Sequence, residues 1–165
     1  MESMYIESPQ NKHVKNLVKL RDRKHRNRQD KFIIEGLREI EHAIDADYPL
    51  NTLYYCTELF PSESHSILIE RLQTNSRLQL IRMHASAFSK SSYREGPDGL
   101  MALSEAKEMN LSTLELKEDS TLLILEGIEK PGNLGAIIRS AEGAGVDAIL
   151  LNNCLLDTYN PNAIR

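Results

Sequence analysis

Apolar residues recur along this chain at two periods, and the switches between them mark the elements. At residues 11–20, Val14, Leu17 and Val18 fall at helical spacing. Residues 31–35 (KFIIE) read as a strand, and 36–45 as a helix with Leu37, Ile40, Ala43 and Ile44 turned inward. A second strand is predicted at 52–56 (TLYYC), bounded by Pro49 and Asn51. A helix at 64–74 follows, with Ile67, Leu68 and Leu72 as its apolar stripe. A third strand at 78–83, a short helix at 85–90, a loop at 92–99 and a fourth strand at 100–103 complete this part. Four short strands separated by helices predict a compact α/β sandwich, whose strand order the pattern does not reveal.

Residues 104–119 are polar, mixed in charge and without a strong stripe, and read as a linker. Residues 122–125 (LLIL) then form an apolar run of the kind that makes a strand buried on both faces. A turn of breakers, Glu129-Lys130-Pro131-Gly132-Asn133, leads into a helix carrying Leu134, Ile137, Ile138 and Ala141, closed by Gly143 and Gly145. Residues 146–151 read as the next strand. The whole is a βαβ unit of the parallel type, in which the loop after the first strand is where ligands collect. The expected domains are therefore 1–104, a linker at 105–119, and 120–165.

Composition narrows the class. Charged residues make up 27% and hydrophobic residues 41% of 165 positions, as in ordinary globular proteins. The net charge of -4 does not by itself suggest nucleic acid, but residues 1–31 hold nine Lys or Arg against four acids. No run reaches the length of a membrane span, and the first ten residues lack a signal-peptide pattern. Cys56 and Cys154 are too few for a disulfide framework and are expected as thiols in a reducing cytoplasm. The five histidines have no metal-ligand spacing, so no metal is expected.

Three places carry candidate chemistry. In the dense basic stretch of residues 19–31, Arg21, Arg23, Lys24, Arg26 and Arg28 fit a clamp on RNA phosphates, which gives affinity without base specificity. The competing reading is a solvated charge run; the concentration of cations in an otherwise acidic chain favours RNA. In the βαβ unit, Asn133 is placed to cap the helix, and Arg139 is an isolated cation among small apolar residues. On spacing alone these are a cap and a snorkelling or acid-paired arginine. The third place is the loop at 93–100, where Pro97-Asp98-Gly99 has β-turn chemistry and Arg94 is a candidate RNA contact.

The wording of the motifs adds to this. Pro131, Asn133, Gly135, Arg139, Ala141 and Gly145 resemble the first signature motif of the SpoU (TrmH-type) RNA 2′-O-ribose methyltransferases, of the SPOUT superfamily. Arg21, Lys24, Arg26, Phe32, Glu35 and Gly36 resemble the family's basic N-terminal passage, and the loop beginning at Arg94 its passage at the end of the first domain. The resemblance implies an α/β/α sandwich substrate-binding domain, related to small ribosomal and kink-turn-binding proteins, followed by the βαβ start of a knotted methyltransferase domain. It implies S-adenosylmethionine as cofactor and ribosomal or transfer RNA as substrate. It also implies a homodimer formed through the catalytic domain. Arg139 would stabilise the alkoxide developing on the ribose hydroxyl, since a guanidinium stays protonated and makes a poor base. Asn133 would orient Arg139 or the ribose.

The last nine residues, DTYNPNAIR, resemble the opening of the family's second motif. The third motif, which would complete the cofactor pocket, is not in these 165 residues. The expectation is a fragment, inactive in isolation, with no cofactor-binding residue assignable. The rival reading is a non-catalytic RNA-binding module.

Overall fold

The computed structural model describes residues 4–107 and 109–165. The chain divides into two compact units after Ala106, inside the stretch read as a linker.

In the first unit, β1 (Met4–Ile6), β2 (Lys31–Glu35), β3 (Leu50–Tyr55), β4 (Gln79–Met83) and β5 (Leu100–Glu105) form one sheet in the order β1-β4-β3-β5-β2. β1, β4 and β3 run parallel, and β5 is antiparallel to both β3 and β2. The helices are α1 (Lys12–Lys19), α2 (Arg23–Gln29), α3 (Leu37–Asp45), α4 (Ser64–Gln73) and α5 (Ala85–Ser91). Side chains alternate across the strands, so each strand serves both layers. Ile33, Tyr54, Ile81, Met83, Met101 and Leu103 pack with Val14, Leu17 and Leu20 of the α1 region and with Ala87 and Phe88 of α5. The alternate positions Phe32, Ile34, Leu53, Leu100 and Ala102 are also buried, as are Ile40 and Ala43 of α3 and Leu68, Ile69 and Leu72 of α4. This is a sheet with a helical layer on each face.

Three expectations for this unit need correction. β1 was not anticipated: three residues are too few to show a period, and the strand exists because β4 offers it an open edge to pair with. The basic stretch, read as a solvated charge run or an RNA clamp, contains an ordered helix, α2, capped by the Asp22 carboxylate on the Lys24 amide. Ile67 is 58% exposed, while Leu68 and Leu72 face inward as expected and are joined there by His65 and Ile69. The expected stripe followed hydrophobicity where the helix phase chose differently.

In the second unit, β6 (Leu122–Glu126) pairs in parallel with β7 (Ala148–Asn152), joined through α6 (Pro131–Gly143), and α7 (Pro161–Ile164) follows. The βαβ unit is as expected. The burial of β6 is not: Leu122 is 39% and Ile124 66% exposed, and no residue of the strand is fully buried. The stretch expected as a featureless linker includes a short 3-10 turn at Leu111–Thr113, capped by Asn110.

Candidate functional site

Two sets of residues carry chemistry, one in each unit, and each is built by its own local structure.

The first is the basic region. Arg26 is 4% exposed, and its guanidinium donates to the carbonyls of Leu20 and Arg21, at 2.7 Å each. The end of α1 is thereby sealed by a cation from α2, a charge-assisted use of C-terminal carbonyls that helices otherwise leave open. Arg21 in turn donates to the carbonyls of Lys90 and Ser92, at 2.8 and 2.5 Å, tying this corner to the end of α5. Asn16 and Gln29 exchange two amide hydrogen bonds between α1 and α2, at 3.2 and 3.0 Å. Arg21 and Arg26 are thus braces, which corrects the expectation that they face phosphates. Arg23, Lys24 and Arg28 are exposed on α2 and keep the outward placement a phosphate clamp requires.

Arg94 is also an internal group. Its guanidinium pairs with Glu39 at 2.6 Å, with both side chains mostly covered. Its fork lies against Gly36, where a Cβ would sit 2.5 Å from Nη1 and where φ is +112°. Only glycine fits that position. The buried Glu35 carboxylate accepts from the Ser92 hydroxyl and from the Tyr93 amide at 2.9 Å, with the Arg94 amide at 3.4 Å. Asp98 accepts from the Leu37 and Leu100 amides and lies 3.5 Å from His65 Nε2. The loop between α5 and β5 is therefore held by carboxylates of α3 and β2 and by its own Asp98. The sequence marks Arg94, marks Asp98 as a turn residue and places Glu35-Gly36 in the family's N-terminal passage, but gives no sign of Glu39. The meaning of those marks is structural.

The second set lies on α6. Pro131 occupies its first turn, where a missing amide costs nothing. Lys130, not Asn133, is the N-cap residue, and no side chain caps the helix. Asn133 sits inside the first turn, exposed, its amide bonded to the Lys130 carbonyl at 3.0 Å. Its expected capping role is corrected accordingly. Arg139 is exposed, and its guanidinium donates to a main-chain oxygen of Arg165 at 2.6 Å. Six residues of helix separate Asn133 and Arg139 by about 9 Å along the axis. Gly135 has a firm requirement. A Cβ there would lie 2.8 Å from the Ala163 carbonyl oxygen, so the glycine is what lets α7 rest on α6.

A methyl-donor cofactor is implied by the resemblance. The described buried side-chain polar atoms without a hydrogen-bond partner are Arg21 Nε, Asn51 Oδ1 and His65 Nε2, all in the first unit. None of them lies in the second unit, and no described residue is assigned to holding such a molecule. What the second unit can present is the acceptor side: an exposed amide and an exposed guanidinium on one helix. Among the described residues, no group of His, Cys, Asp and Glu is arranged to hold a metal. No described helix is long and apolar enough to cross a membrane.

Comparison with known proteins matches both units. Residues 11–102 match the MRM3-like substrate binding domain, and residues 120–165 match the SpoU rRNA Methylase family. The chain is 30% identical over 161 residues to the 23S rRNA (guanosine(2553)-2'-O)-methyltransferase RlmP of Bacillus subtilis, covering 97% of this chain and 59% of that protein. It is 26% identical to the mitochondrial rRNA methyltransferase 3 of Homo sapiens, over 88% of this chain and 34% of that protein. A solved RNA 2'-O ribose methyltransferase superposes with a TM-score of 0.81 at 36% identity, covering 98% of this chain and 60% of that one. A crystal structure of an rRNA methyltransferase from Sinorhizobium meliloti superposes with a TM-score of 0.85 at 25% identity, over 100% and 61%. The chain thus spans about three fifths or less of the length of these relatives. With an MRM3-like substrate binding domain ahead of the βαβ unit that bears Asn133 and Arg139, this chain belongs to the SpoU rRNA methylase family.

Proposed function

We propose that the whole protein methylates ribosomal RNA on a ribose 2′-hydroxyl. In this reading the first unit holds RNA and the second supplies Asn133 and Arg139. The observation that carries it is the first-motif helix itself: Asn133 and Arg139 lie exposed on α6, while Gly135 is fixed by its approach to α7. The relatives named for rRNA methylation support the substrate class.

S-adenosylmethionine supplies the electrophilic methyl group when bound. The task left to this chain is the nucleophile. A ribose hydroxyl is a weak acid, and a guanidinium does not remove its proton at neutral pH. Arg139 therefore acts by stabilising negative charge as it develops on the oxygen, with its donors presented from a rigid helix. Asn133, a turn and a half away, suits contact with the ribose better than contact with Arg139. A homodimer through the second unit belongs to the same proposal: Leu122, Ile124, Ile138, Leu151 and Leu155 are exposed there and would be covered by association. A cytoplasmic location is part of it too.

Calorimetric titration of S-adenosylmethionine into the whole protein tests the reading. Saturable binding at one site per chain is expected. Absence of binding, with the protein folded, would remove the methyltransferase and leave an RNA-binding module.

A further inference from the structure

The two helical layers of the first unit differ in sign. α1, α2 and α5 together carry eight Lys or Arg and no Asp or Glu. α3 and α4 carry two Arg against four acids: Arg38 and Arg71 with Glu39, Glu41, Asp45 and Glu70. The acids that flank α2 in sequence are Asp22 and Asp30, at its two caps, and Asp22 is engaged with the Lys24 amide.

Within the basic layer, the cations of α1 are ordered by the helix itself. Lys12, Lys15 and Lys19 are all exposed and stand at i, i+3 and i+7. At 100° per residue they fall within an arc of about 60°, on the side opposite the buried Val14 and Leu17, over about 10 Å of axis. Three like charges on one stripe repel, and a lone helix gains nothing from them. Their placement suits a polyanion. The platform is also rigid, since the Asn16–Gln29 amide pair and the Arg26 and Arg21 braces lock α1, α2 and the end of α5 together. Binding there orders few new groups beyond the lysine side chains.

We propose that the sugar-phosphate backbone of the RNA lies on the α1–α2 side of the sheet, held by Lys12, Lys15 and Lys19 together with Lys24 and Arg28. This rests on the RNA-binding reading of the first unit and adds which face is used, which residues hold the strand, and which do not: Arg21 and Arg26 act as positioning residues. Phosphate contact is indifferent to base sequence, so the choice of nucleotide must come from elsewhere in the protein.

The test uses the 165-residue chain and a labelled 20-base-pair RNA hairpin of generic sequence, titrated across a salt series. Lys12→Glu/Lys15→Glu/Lys19→Glu is expected to weaken binding by about tenfold or more at 0.1 M salt. The slope of log affinity against log salt should fall by about two to three, near one per lost phosphate contact. Arg38→Glu/Arg71→Glu, on the other layer, should stay within about twofold of the parent, and the neutral Lys→Gln triple should fall between. All these positions are exposed, so circular dichroism melts should match the parent. If the parent binds and the lysine triple binds equally well with the same salt slope, the face is wrong while the RNA reading stands. If the parent itself shows no salt-dependent binding, both fall.

Discussion

The two units are written in similar letters and treated differently by their surroundings. In β2, Phe32-Ile33-Ile34 are all buried, because α1 and α5 lie on one face of the sheet and α3 and α4 serve the other. In β6, Leu122-Leu123-Ile124-Leu125 is more apolar still, yet within these 165 residues, about three fifths of the length of the relatives, every position retains solvent contact. An apolar run specifies that a strand forms; the elements flanking it decide whether it is a core. The chemistry divides along the same line. The first unit uses buried charge, Arg26 and Glu35, to fix loops and helix ends, and the second leaves its candidate groups Asn133 and Arg139 in the open.

The largest expected effect sets one core position against one exposed strand position. Ile81→Ala, at 0% exposure in β4, should destabilise the first unit by about 2–5 kcal/mol in chemical denaturation. Ile124→Ala, at 66% exposure in β6, should cost no more than about 0.5 kcal/mol in the monomeric 165-residue chain. Equal losses at the two sites would erase the contrast. Next comes Glu35→Ala, which strips the acceptor from the Ser92 hydroxyl and the Tyr93 and Arg94 amides, a loss of about 2–4 kcal/mol. Amide exchange should show the loop between α5 and β5 opening first; protection unchanged there would deny the carboxylate its role.

Gly135→Ala sharpens the picture for the second unit. The added methyl meets the Ala163 carbonyl, so α7 must shift, at about 1–3 kcal/mol. Amides of residues 162–164 should lose protection while β3 and β5 keep theirs.

The smallest effect is a pH dependence. Burial, with repulsion from Lys12 adding to it, holds the His13 imidazole below its usual 6.5. The unfolded chain therefore takes up this proton at a higher pH than the folded chain. Stability should fall as pH drops through the ordinary histidine range and level off below the folded value. Across from it, burial pushes the Tyr54 hydroxyl up to about 12, so the phenol 3.1 Å from His13 Nδ1 remains protonated throughout. Removing the imidazole with His13→Gln should flatten the slope of melting temperature against pH between 7 and 5; an unchanged slope would place it in other groups.

Much of this fold is legible in the sequence wherever an element has enough residues to show its period. β2 and the βαβ unit of the second half follow their patterns closely. β1 is too short to show one, and α2 has no apolar stripe because the residue that anchors it is Arg26. That same fact explains the partial reading of the basic site. A run of cations looks uniform in sequence, and only helix phase separates Arg26 from Lys24 and Arg28. Arg94 shows the converse, since its partner Glu39 lies 55 positions away and no local pattern could announce it. On α6 the motif was readable residue by residue, but that Gly135 serves α7 required the second element to be in view.

The most direct measurement is transfer of a labelled methyl group from S-adenosylmethionine to ribosomal RNA by the whole protein, with the product mapped to a ribose 2′-hydroxyl, for the parent and for Arg139→Ala. Methylation by the parent, abolished in Arg139→Ala with RNA affinity within about twofold, is the predicted result. Full transfer by Arg139→Ala, or a methyl group found on a base, would contradict it.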